Sequence, residues 1–312
     1  MAARKRSAGH RSTPVLAFWG VAMLLLGLGL GLFLSNQGCK KKAPPPKETH
    51  EPRRPETTHK PKAREGSAVA APATGKAAAK PTDHVISGPT LPRLALVIDD
   101  FGYAPPELVR RLCAQPVPFA AAILPYQEFT QESATIAHGA GKEIMLHLPM
   151  EPLGYPGPGK DPGPDAVMFA LSETEMRARV RKALLDVPWR KGVNNHMGSR
   201  ITPDRTRMTW ILQEIKAAHC FFLDSRTEKE SVAYDVAVEL KIPAAQRKVF
   251  LDDDKAFEAM EKQWLRALSL AKAEGHVIII GHIYPETVEA LEKLIPRSQG
   301  QVTFVKVSEL TR

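Results

Sequence analysis

From Leu94 to the C-terminus the chain alternates short apolar runs with stretches of helical periodicity, and most of those runs end in a polar residue. Residues 94–98, 119–124, 143–148, 193–195, 221–223, 249–251, 277–280 and 303–305 are the candidate strands. Apolar runs this short, separated by helical stretches, are the signature of βα units feeding a parallel sheet. The intervening segments carry helix marks. Ser172 and Glu175 stand at the spacing of a capping box, and Phe257, Met260, Trp264, Leu268 and Ala271 recur every three or four residues along one face. A further helix is expected to begin at Thr202-Pro203, a cap followed by proline in the first turn. Residues 154–165, GYPGPGKDPGPD, hold too much Gly and Pro for helix or strand and read as a long loop after the third strand. Seven or eight such units in about 220 residues suit one α/β barrel better than an open doubly wound sheet.

In a parallel barrel, chemistry collects at the C-terminal ends of the strands. The first run ends in Asp99-Asp100, the third in His147 with Glu151 beyond it, and the fourth in Asn194-Asn195-His196. The fifth ends in Asp224-Ser225-Arg226, the sixth in Asp252-Asp253-Asp254 and the seventh in Gly281-His282. Helix capping would account for isolated aspartates, and suits residues 252–254 well. It does not account for three histidines. One carboxylate and two imidazoles from different strands are what a catalytic zinc-type site requires, with positions left for water and substrate. His10, His50, His59 and His84 lie in the N-terminal region, and His138, His219 and His276 in helical or turn contexts, so none of these is assigned a role.

The N-terminal third has a different character. Of the chain's 43 basic and 34 acidic residues, 15 and 5 fall in residues 1–90, leaving 28 and 29 for residues 91–312. The basic excess thus sits outside the folded body, which argues against nucleic acid as partner. Residues 1–14 read as a basic tail and 15–34 as an uncharged apolar span long enough to cross a bilayer. The span is longer than a signal-peptide core, and no small-x-small cleavage site follows closely, so it is expected to remain as an anchor. Residues 35–90, rich in Pro, Ala and Lys, cannot bury a core and read as a disordered spacer, with residues 91–312 the domain it carries. Positive charges flank the span on both sides; the short basic tail before it favours a single-pass inner-membrane protein with the domain outside the cytoplasm, in the periplasm. The 3 cysteines, Cys39, Cys113 and Cys220, are too few and too scattered for a disulfide scaffold or a CxxC metal module. Cys39 lacks the upstream apolar residue expected of a lipidation site.

Five segments in order resemble the divergent polysaccharide deacetylase family: residues 98–102 (IDDFG), 145–152 (MLHLPMEP), 192–199 (GVNNHMGS), 224–227 (DSRT) and 281–287 (GHIYPET). The resemblance spans residues 91–312 and implies a NodB-like carbohydrate deacetylase fold, a distorted (β/α)7 barrel holding one divalent metal. It implies Asp99 as catalytic base, Asp100 and His147 as metal ligands and His282 as general acid. The family's second motif normally supplies two imidazoles, whereas here Glu151 stands in the second place. Either Glu151 or His196 therefore completes the set, and the His-Met-Gly-Ser context favours His196. Glu151, Asn195, Asp224 and Arg226 are expected to touch substrate or to support the reacting groups, Arg226 by orienting Asp99, by binding a substrate anion, or as a salt bridge bracing the rim. Trp189 is a candidate for stacking on a sugar ring; Trp210 and Trp264 fall in helices and read as core. The implied activity is hydrolysis of N- or O-acetyl groups on a cell-envelope, peptidoglycan-like glycan, with Zn2+ as the expected ion. A glycan-binding or envelope-organising protein on the same barrel is the alternative, and a metal phosphatase or other amidase a third.

Overall fold

A computed structural model describes residues 90–312 of the chain. The apolar span, the spacer and the basic tail lie outside the described residues. Among those described, no helix is long and apolar enough to cross a membrane.

Nine strands and seven α-helices follow in the order β1 (Arg93–Phe101), α1 (Pro106–Cys113), β2 (Ala120–Ile123), α2 (Thr130–Gly139), β3 (Glu143–Met150), α3 (Glu173–Asp186), β4 (Gly192–Met197), α4 (Arg205–Ala217), β5 (Phe221–Asp224), α5 (Ala233–Glu239), β6 (Ala244–Gln246), β7 (Val249–Phe250), α6 (Phe257–Glu274), β8 (His276–His282), α7 (Pro285–Arg297) and β9 (Thr303–Val305). All strand pairs are parallel, so every C-terminal strand end lies on one rim. The order across the sheet is β6-β5-β4-β3-β2-β1-β8-β7, and β9 lies against the first residues of β1, below β2.

The expected barrel is realised as a curled sheet with an interrupted seam. β6 leans on β5 and β7 on β8, and the two residues between them split in the same way: the Arg247 amide donates to Asp224 and the Lys248 amide to Ile278. One bent segment thus spans the two sides. β6 escaped the sequence reading because Ala-Ala-Gln has neither β-branching nor alternation.

Side chains along β1 alternate between two packed layers. Leu94, Leu96 and Ile98 meet the helices, while Ala95 and Val97 join Ala122, Met145, Leu223 and Ile280 on the other face. Burying a Leu, Ile or Val contributes about 1.5–3 kcal/mol each, and both layers are continuous. α3 begins with the expected capping box between Ser172 and Glu175. In α6, Trp264 is buried with its indole N–H donating to Ser298 Oγ at 2.8 Å. α4 starts later than Thr202-Pro203 suggested. Thr202 closes a turn back to Gly198, and Asp204 is the cap, accepting from the Arg207 amide at 2.8 Å. Residues 154–165 contain no helix or strand, as expected.

Candidate metal and acid-base site

On three strands the inward row turns polar toward its C-terminal end. On β1 the row runs Ala95, Val97, Asp99; on β3 Met145, His147; on β8 Ile278, Ile280, His282. Register places Asp99 beside His282 and His147 beside Asn194. Asp100 would face the helices if the strand stayed regular. Instead the β1–β2 register slips between Ile98 and Phe101, and Asp100 takes a left-handed φ of 66°. Aspartate tolerates that conformation better than most residues, and it turns a second carboxylate onto the same rim. Gly102 completes the turn at φ 109°, where a Cβ would lie 3.0 Å from the Leu124 carbonyl oxygen.

Asp100, His147 and His196 form a compact cluster. Their facing atoms are separated by 3.1 Å (His147 Nε2 to His196 Nδ1), 3.2 Å (His196 Nδ1 to Asp100 Oδ1) and 3.4 Å (His147 Nε2 to Asp100 Oδ1). A tetrahedral ion with bonds of ~2.0–2.1 Å has ligand-to-ligand edges of about 3.3–3.4 Å, so the three atoms are spaced as ligands of one ion. Asp100 Oδ1 is buried without a hydrogen-bond partner, a cost that a cation would remove. Asn194 sets the tautomer. Its amide nitrogen donates to Asp99 Oδ1 at 2.9 Å and to Ser225 Oγ at 3.2 Å, so its oxygen faces His147 Nδ1, 2.9 Å away. His147 therefore carries its proton on Nδ1 and presents the Nε2 lone pair to the cluster. These residues fit a divalent ion.

The electrostatics agree. Burial pushes the Asp100 carboxyl up, but the imidazoles of His147 and His196 outweigh it and hold the group below the usual carboxylate range. Burial pushes His147 down, and Asp99 and Asp100 more than reverse this. The pocket is built to hold positive charge. Asp99 is buried and, with burial dominant, sits above the usual carboxylate range despite the pull of His147 and His282; its Oδ2 lies 3.5 Å from His147 Nε2.

On the other side, His282 Nδ1 is 2.9 Å from Asp252 Oδ1. The second Asp252 oxygen accepts the His282 amide at 2.7 Å and the Thr287 hydroxyl at 2.6 Å. Burial lowers the His282 pKa, but Asp252, with help from Asp99 and Asp100, raises it to about 9. The ring stacks between Phe250 and Tyr284, leaving Nε2 as its unengaged nitrogen. Asp252 is thus no helix cap: α6 is capped by Ala256 without a side-chain bond, and of the three aspartates it is Asp254 whose carboxylate accepts the Ala256 amide. This is the main residue that sequence reasoning missed.

The remaining candidates take structural places. Glu151 is buried, accepts the Phe169 amide and pairs with Arg200, away from the three-residue cluster. Asn195 points opposite to Asn194 and ties the Ser225 amide to β4. Asp224 accepts from the Arg226 amide and the Ser231 hydroxyl. Arg226 does not orient Asp99: at φ 50° its guanidinium turns to the carbonyls of Lys229 and Ser231 and braces the loop after β5. Arg247, unnoticed in the sequence, holds the seam by donating to the Ser225 and Arg226 carbonyls, and burial draws its pKa down to about 10. Trp189 stacks on His138 just before β4, on the opposite rim, which removes it from this site.

Comparison with known proteins bears on this arrangement. The chain is 36% identical over 226 residues to the uncharacterised protein YibQ of Escherichia coli K12, covering 72% of this chain and 69% of that one. An uncharacterised Haemophilus influenzae protein is 33% identical over 220 residues, covering 70% and 77%. A crystal structure of an uncharacterised protein from Agrobacterium tumefaciens C58 shares the fold at a TM-score of 0.66 and 23% identity, covering 72% of this chain and 91% of that one. Residues 96–311 match the sequence profile described as divergent polysaccharide deacetylase, and the chain belongs to that family.

Proposed function

We propose that the protein is a metal-dependent hydrolase that removes acetyl groups, N-linked or O-linked, from a cell-envelope glycan. The observation that carries this reading is the placement of one buried carboxylate, Asp99, between a three-ligand cluster and a charged imidazole. Asp100, His147 and His196 hold the divalent ion, and two imidazoles with one carboxylate suit Zn2+. When bound, the ion supplies Lewis acidity toward the acyl carbonyl and makes water acidic enough to ionise near neutrality. Asp99 takes the proton of the attacking water as oxygen bonds to the acyl carbon. His282 then gives its Nε2 proton to the departing nitrogen or oxygen as the bond to carbon breaks. Acid–base assistance of this kind contributes about 10²- to 10⁴-fold. Asn194 keeps Asp99 and His147 in register, and Asp252 keeps His282 charged. The apolar span of residues 15–34 anchors the chain in the inner membrane with the domain on the periplasmic side.

The second reading is a glycan-binding protein that has lost turnover, favoured by the Glu151–Arg200 pair where the family pattern sets an imidazole. The full chain should bind close to one equivalent of metal and release acetate from acetylated peptidoglycan or chitin oligomers. Asp99→Asn should retain the metal and lose roughly 10²-fold or more of the rate. Glycan binding with metal bound and no acetate released by the wild type would select the second reading.

A further inference from the structure

The opposite rim holds a second site of different chemistry. A cavity of about 650 Å³ opens there among the starts of β3 to β6 and the segment after β9. Four lysines, Lys191, Lys216, Lys241 and Lys306, line it with a single carboxylate, Glu143, whose oxygens are taken by the amide and hydroxyl of Ser308. Lysines at this rim have an ordinary task, because the helices end here and their last carbonyls attract cations. Lys216 does this by donating to the Leu240 carbonyl at 2.7 Å, and nearby Lys142 does it for Gln115 and Val117. Lys191, Lys241 and Lys306 have no carboxylate or carbonyl partner for their ammonium groups among the described residues. Inside, the wall is apolar, with buried Phe221 and Ile242. An adjoining groove of about 270 Å³ shares Glu143, Lys191 and Lys306 and ends at Trp189, a residue 47% exposed although its ring stacks on His138 at 4.5 Å. Three unpartnered ammonium groups over an apolar wall call for an anion of more than one charge joined to an apolar body.

We propose that this cavity binds a phosphate-bearing amphiphile, its phosphate among Lys191, Lys241 and Lys306 and its apolar part against Phe221, Ile242 and Trp189. Lysine serves phosphate as a point charge without the fixed fork that arginine needs. The anchor proposed at residues 15–34 tethers the domain to a bilayer, and that favours the headgroup of an anionic phospholipid as the source. The site stands independently of the metal cluster at the far end of the strands.

Lysine acetylation by a soluble reagent, read by mass spectrometry on the full chain, tests it. The chain is held in nanodiscs of phosphatidylcholine alone, with phosphatidylglycerol added, or with inorganic pyrophosphate in solution. Lys262 and Lys272, exposed on α6, are the internal references. At a probe concentration ten times its Kd, Lys191, Lys241 and Lys306 should react about tenfold more slowly while the references do not change. Protection by phosphatidylglycerol assigns the lipid source; protection by pyrophosphate alone keeps the site and assigns a soluble phosphate. In a Lys191→Gln, Lys306→Gln variant with an unchanged thermal midpoint, protection of Lys241 should vanish. No protection by either probe, protection in step with the references, or a Lys241 still protected in that variant would overturn the proposal.

Discussion

The two imidazoles that flank Asp99 make an instructive pair. His282 ends β8 and His147 lies three residues before the end of β3, and both present Nε2 to the same rim, yet one Nδ1 meets a neutral amide and the other a carboxylate. Behind His147, the Asn194 oxygen accepts a hydrogen bond from Nδ1–H without adding charge, so Nε2 keeps its lone pair available. Behind His282, Asp252 stabilises the imidazolium and raises its pKa to about 9. In the proposed mechanism this partner at Nδ1 is what separates the imidazole that would hold a metal from the one that would act as the acid.

The largest effect should come from the ligand side. Asp100→Ala, His147→Ala or His196→Ala should empty the metal site and abolish acetate release, while Glu151→Ala should keep the metal, its carboxylate being engaged with Arg200. Metal analysis of the four variants decides; loss of metal in Glu151→Ala with retention in His196→Ala would reverse the assignment. Exchanging the character of the acid side comes next. In Asp252→Asn the His282 pKa should fall from about 9 to its ordinary 6.5 or lower. At pH 8 the protonated fraction, and with it the rate, should drop about 30-fold, with little change near pH 6. Stability carries the same sign. The folded-state pKa is raised, so the pair's contribution is complete below about 6.5 and is lost as pH rises through about 9; a denaturation series across that range should slope in the wild type and flatten in Asp252→Asn. A rate profile whose basic limb stays near 9 in the variant would remove His282 from the acid role. Third, Asn194→Leu should loosen His147 and weaken metal affinity by about 10–100-fold, as removal of a ligand's hydrogen-bond partner does. Unchanged affinity by competition with a chelator would mean that packing alone orients the ring.

How much of this was legible beforehand follows the same division. Asp99, His147 and His282 could be read because each ends an apolar run, and a polar residue in the inward row is conspicuous. The His-Met-Gly-Ser context already favours His196 over Glu151; the fold adds that the β3–β4 register brings His196 beside His147 and that Glu151 is paired with Arg200. Asn194 was within reach: strand alternation puts it on the face of His196 and Asn195 on the other. Asp252 was out of reach. Three consecutive aspartates before a helix look like caps, and nothing local says that the first faces a histidine thirty positions later across the β7–β8 pair. Arg226, for which a brace of the rim is one of the readings, braces the loop after β5, through the Lys229 and Ser231 carbonyls.

The smallest effect tests the carboxylate side from the opposite direction. Thr287 donates to the Asp252 oxygen that also accepts the His282 amide, so Thr287→Val removes one of two donors without leaving that oxygen bare. Losing a single satisfied hydrogen bond should cost about 0.5–1.5 kcal/mol in stability. Its effect on His282 has the reverse sign to Asp252→Asn. A carboxylate stripped of one donor is a stronger acceptor for the remaining charge, so the imidazolium is held more firmly and the basic limb of the rate profile moves above about 9, by less than about one unit. Metal affinity at Asp100, His147 and His196, on the far side of Asp99 from His282, should be unaffected. A basic limb that moves down, or a change in metal affinity, would show that Thr287 acts on the packing of the whole rim and not through Asp252.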